Sequence, residues 1–127
     1  MPVTPGHNRI TSLIKLWLPL LAWMGFIFYL SSIPGRDIPS LFPYQDILFH
    51  TVIYAILAYF FARALKNTYP RLVSPKVIYI TVIFGVIYGI TDEFHQVFVP
   101  HRYASGLDLF IDGVGSFMGS LFYRWPK

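Results

Sequence analysis

Apolar positions fall into four long runs, separated by segments rich in proline, glycine or basic residues. The first, "LIKLWLPLLAWMGFIFYLSS", predicts a helix over about 13–32. The second, "DILFHTVIYAILAYFFARAL", predicts one over about 46–65. The third predicts a helix over about 76–99 and the fourth over about 107–123. Twenty helical residues rise about 30 Å, the thickness of a bilayer's hydrocarbon core. No alternation of strand type occurs, so a membrane barrel is not expected. The expected fold is all-α, a single integral membrane four-transmembrane-helix bundle over 13–127, preceded by a disordered cytoplasmic tail over 1–12. Pro19 falls near the expected start of the first helix, where a missing N–H costs least. Arg9 and Lys15 before an apolar run also suit a signal peptide, but no small-x-small cleavage site follows. The fourth run is short for a crossing, so it is expected to thin the membrane locally.

Charge orients this bundle. Four crossings place both termini and the middle loop on one face. That face holds Arg9, Lys15, Arg63, Lys66, Arg71, Lys76, Arg124 and Lys127, whereas the other holds Arg36 and Arg102. The basic excess marks the cytoplasmic side, so the expected location is the cell inner (plasma) membrane, multi-pass, with both termini inside. Composition agrees: 55% of residues are hydrophobic and 13% charged, against about 25% charged in soluble domains. The net charge of +4 is explained by topology, and nucleic acid is not an expected partner. With no cysteine, disulfides and thiolate metal sites are excluded.

Every aspartate and the single glutamate lie towards the opposite, outer face. Asp46, His50 and Tyr54 follow one another at helical spacing on the second helix. Asp92, Glu93, His95 and Gln96 close the third helix, and Asp108 and Asp112 open the fourth. The run from Val77 to Thr91 rises about 22 Å, which leaves Asp92 beneath the outer headgroups. A carboxylate facing lipid at mid-bilayer costs about 2.5–3.5 kcal/mol and less near the interface. These groups are therefore expected to turn towards one another or into a wet cleft, with Glu93, Gln96 and His95 in one outer pocket. Gly85, Gly89, Glu93 and Gln96 share a stripe, as do Asp108, Asp112, Gly115 and Gly119, so the faces that pack closely also carry the acids. Simpler roles stand beside these. Asp46 suits a helix N-cap, Asp108 an exposed first-turn acid, and Asp92 or Glu93 a solvated interface.

In order and spacing these motifs resemble the VanZ-like membrane proteins. The carrying residues are "SSIPG" (Ser31 to Gly35); Asp46, His50 and Tyr54; Glu93, Gln96, Phe98, Pro100 and Arg102; and Asp108, Asp112, Gly115 and Gly119, over about residues 15 to 123. His101 departs from the pattern, which usually has glycine there, and His95 lies outside it. The resemblance implies an envelope-related membrane protein of a family named for an accessory factor in teicoplanin resistance. It supplies no reaction.

Three functions are compatible with these residues. The first acts on, or binds, an envelope lipid or a lipid-linked cell-wall precursor bearing phosphate. Here His50 and Glu93 are the acid–base candidates and Asp46 orients the His50 ring. Arg36, Arg102, Gln96, Tyr54, Asp108 and Asp112 are the substrate-binding candidates, the guanidinium groups holding phosphate and the two late aspartates holding Arg102 or a divalent cation. No H-E-x-x-H or E-x-x-H spacing occurs, so no metal site or cofactor is assigned. The second is proton-coupled transport. No polar stripe is visible in the inner half, and four helices need to form a homo-oligomer to enclose a path. The third is a non-catalytic membrane scaffold whose charges serve packing alone.

Overall fold

The structure is a computed structural model that describes residues 8–103 and 105–124. Four helices follow in order: α1 (Asn8–Ser31), α2 (Gln45–Thr68), α3 (Ser74–Gln96) and α4 (Gly106–Arg124), with a 3-10 turn at Gly35–Asp37 between α1 and α2. No strand occurs among the described residues. The expected all-helical architecture is present. By length and composition Arg9–Ser31, Gln45–Thr68 and Ser74–Gln96 can each cross a membrane, and α4 is not among them.

Helix ends differ from the sequence expectation in ways the local chemistry explains. Residues 8–12 of the expected tail belong to α1; residues 1–7 lie outside the described part. This earlier start puts Pro19 in the helix interior, where proline cannot bond the carbonyl four residues back. That carbonyl, Lys15 O, accepts instead from Arg63 Nη2 of α2 at 3.1 Å. α3 stops at Gln96 rather than Val99. The next amides make three-residue turns, Val97 N–H to Phe94 O, Phe98 N–H to His95 O and Val99 N–H to Gln96 O. Pro100 then prevents further helix.

α4 lies between α2 and α3, and glycine sets how closely it approaches. A Cβ on Gly115 would sit 2.6 Å from Thr51 O, and one on Gly119 would collide with the backbone at Ala55. Both contacts are with α2. On the other side, a Cβ on Gly89 of α3 would come within 2.7 Å of Asp112 Oδ2. The buried face of α4 is small and polar, with Asp112, Ser116 and Ser120. α1 joins by larger groups. Leu20 and Ile27 pack with Tyr54 and Leu57, Trp23 Nε1 donates to Ile53 O at 3.0 Å, and Tyr88 Oη donates to Met24 O at 2.6 Å.

The exterior carries the large apolar side chains, including Leu18, Leu21, Phe28, Val52, Ile87, Phe110, Phe117 and Phe122, all exposed. Large contiguous apolar surface is unfavourable in water and natural in lipid. Small residues inside and large ones outside are the arrangement expected where lipid, rather than water, surrounds the helices. Gly119→Val is expected to lower stability by about 3 kcal/mol through overpacking. Gly25→Ala, with nothing within 4 Å of its new Cβ, should be neutral or stabilising; thermal unfolding of the detergent-solubilised protein checks both.

Candidate functional site

The helices bring their polar ends together beside the α1–α2 and α3–α4 connections. Buried carboxylates require hydrogen bonds or counter-charges, and the structure supplies them across helices. His50 Nδ1 of α2 lies 2.8 Å from Asp112 Oδ1 of α4. Asp112 has no exposed surface, and this is the only side-chain ion pair among the described residues. An ionised carboxylate can only accept, so Nδ1 carries the shared hydrogen and Nε2 is the nitrogen left for chemistry. Tyr54, nearly fully buried, donates its hydroxyl to Asp92 Oδ2 of α3 at 3.2 Å. Its ring is parallel to that of His50.

A second group closes the end of α3. Glu93 Oε1 accepts from the Ser105 backbone N–H at 2.5 Å. The Gln96 amide satisfies both of its neighbours in one orientation. Nε2 donates to Glu93 Oε2 at 3.1 Å and Oε1 accepts from Arg102 Nη2 at 2.6 Å. Arg102 Nη1 donates to Ile33 O at 2.9 Å and Leu30 O at 3.4 Å, at the C-terminal end of α1. There the helix carbonyls are partly negative and favour a cation. Gly35 N–H donates to Pro100 O and ties the two connections together. His101 adopts φ 60°, a left-handed conformation that glycine reaches at no steric cost. That is the physical reason glycine suits this position in the motif.

These contacts border a half-open cavity of about 240 Å3 between α1, α2, α3 and the loop after α1. Its polar wall contains Ser31, Asp37, Asp46, His50, Tyr54, Asp92, Gln96 and Arg102. Ile27, Leu30, Ile33 and Ile53 supply much of the rest.

The expected site residues divide accordingly. His50, Tyr54, Gln96, Arg102 and Asp46 line the cavity. Asp46, however, neither orients the His50 ring nor caps α2. The ring is held by Asp112, and the N-cap position belongs to Tyr44. Glu93 is buried with both oxygens engaged and stands off the cavity wall. Asp112 lies behind His50 rather than against Arg102, whose partners are two carbonyls and an amide. Asp108 sits in the first turn of α4, away from the wall. Arg36 is exposed and also off the wall. His95 stacks on Phe28 with centroids 4.3 Å apart and pairs with Ser32 Oγ at 2.9 Å, so it belongs to the α1–α3 seam and not to the cavity. Asp92, Asp37 and Ser31 also line the wall, outside the residues expected from the sequence. Asp92 had a readable signal, since it follows Gly89 by three positions as Gln96 follows Glu93.

An all-helical membrane-type bundle with a polar cavity at one end is the class that fold and site define. The VanZ/LLP1 family model matches residues 16–126, and the chain belongs to that family. Comparison with curated proteins and with solved structures found no match.

Proposed function

We propose that the cavity receives the headgroup of an envelope lipid or lipid-linked cell-wall precursor and that His50 exchanges a proton with it. The observation that supports this most is the placement of His50. One ring nitrogen is held by a fully buried carboxylate, while the ring shares a cavity wall with Arg102. In this reading Nε2 of His50 takes the proton of a hydroxyl or water, and Asp112 stabilises the resulting imidazolium. Arg102 retains donors beyond those spent on carbonyls and Gln96, and these suit phosphate oxygens. Glu93 acts through Gln96 as a positioning residue for Arg102. A role in resistance to glycopeptides such as teicoplanin is the physiological setting this activity would serve.

Transport draws less support. The inner half is more polar than the sequence suggested, with Thr81, Ser116, Ser120 and Asn67 buried. Yet Ser116 Oγ donates to Asp112 O and Ser120 Oγ to Phe117 O, both within α4. Hydroxyls committed to their own helix do not form a continuous relay.

Lipid and cell-wall-precursor profiles of a deletion strain test the reading when complemented with wild type, His50→Ala or Arg102→Ala. Loss of an acid–base group is expected to reduce turnover about 100-fold or more, so His50→Ala should reproduce the deletion profile when compared at equal membrane abundance. A wild-type profile from both variants contradicts the reading.

We further propose that α4 completes a fourth crossing, with the cavity outside and both termini in the cytoplasm. The basic excess on the opposite face supports this. Because the chain has no cysteine, single substitutions report sidedness directly. An impermeant maleimide should label Ser40→Cys in intact cells and Tyr69→Cys only after permeabilisation; the opposite pattern inverts the topology.

A further inference from the structure

The charges on the cavity wall do not balance. Asp37, Asp46 and Asp92 face one guanidinium, Arg102, together with His50, whose counter-ion is Asp112. Among the described residues none of the three wall carboxylates has a cationic partner; Asp37 and Asp46 are exposed at the rim, and Asp92 is the buried one. Asp92 is only 8% exposed and receives one side-chain hydrogen bond, from Tyr54. A carboxylate this buried is costly unless further donors or a cation reach it. Ser31 gives an independent sign of an absent partner. It is 2% exposed, it lines the cavity, and its hydroxyl is in no hydrogen bond with the described residues, unlike that of Ser32 beside it.

We propose that the cavity selects a lipid headgroup carrying both a phosphate and a primary ammonium group. The phosphate lies at Arg102 and the ammonium among Asp37, Asp46 and Asp92, within reach of Ser31. The inference rests on the lipid-headgroup reading and specifies its substrate class. An anionic headgroup without an amine would add like charge beside three carboxylates, and such juxtaposition is strongly unfavourable. A quaternary ammonium has no N–H to give, whereas a primary ammonium brings three donors. These suit the second oxygen of Asp92 and the Ser31 hydroxyl. The cavity, about 240 Å3 and half open, is far roomier than a single-water site. It holds a phosphate joined to a short amine and leaves the acyl chains outside. The apolar wall of Ile27, Leu30, Ile33 and Ile53 provides the path by which those chains return to the membrane.

The test is binding of dihexanoyl phosphatidylethanolamine, phosphatidylcholine and phosphatidylglycerol to the purified full chain in detergent, followed by native mass spectrometry. The ethanolamine lipid should bind at least about tenfold tighter than the glycerol lipid, a modest return for removing like-charge contact, and tighter than the choline lipid. Asp92→Asn should erase that preference without weakening the glycerol lipid. Asp46→Asn, at an exposed position, should reduce it and serves if the buried substitution does not fold. Equal or tighter binding of the glycerol lipid, with or without magnesium, overturns the ammonium selection and leaves the headgroup reading standing. Failure of all three lipids to bind also overturns the ammonium selection, and the precursor profiles of the deletion strain then decide the headgroup reading.

Discussion

Asp112 is the point on which this structure turns. It is a carboxylate without exposed surface, in the middle of helices whose outer faces are apolar. Such a group is costly to leave without a partner. His50 is that partner, at 2.8 Å, across an α2–α4 interface where the backbones also come into contact. Gly115 and Gly119 permit the approach by leaving no Cβ against Thr51 and Ala55. Gly89 leaves room for the second Asp112 oxygen, which has no hydrogen-bond partner among the described residues. Packing and electrostatics are therefore one constraint here.

The cavity follows from that constraint. With α2, α3 and α4 drawn together by small residues, α1 is kept further out by Leu20, Ile27 and the aromatic side chains of its neighbours. The space left at one end is closed by hydrogen bonds rather than by apolar packing. Arg102 grips the carbonyl end of α1, Gln96 carries the grip to Glu93, and Glu93 receives the backbone N–H of Ser105. Gln45 pins the other connection, accepting from Leu41 N–H and donating to Pro39 O at 2.7 Å each. The wall that results presents unpaired carboxylates and one guanidinium to whatever enters.

Much of this is legible in the amino-acid sequence. Apolar runs of bilayer length are a strong signal, and they located the helices. The glycine stripes correctly announced the close faces of α3 and α4. Helix ends were less legible. Residues 8–12, just before Leu13, carry no proline or glycine to forbid helix, and the three-residue turns after Gln96 differ from helix by one hydrogen-bond register. Side-chain roles were harder still. Asp46 and His50 stand one turn apart on the same helix, so spacing joined them, while the true partner of His50 lies on α4. Spacing within one helix cannot reveal a contact between helices. Glu93 was conspicuous as the only glutamate, yet its burial and its partners come from the turn that follows it.

The most direct test of the account is a double-mutant cycle on thermal or denaturant unfolding in detergent, using His50→Ala, Asp112→Ala and the pair. If the contact between α2 and α4 organises the site, the two single losses will together exceed the loss of the double variant by about 1–3 kcal/mol, as for residues in direct contact. Additive losses within about 0.5 kcal/mol would show that the two residues act independently, and the account would fail.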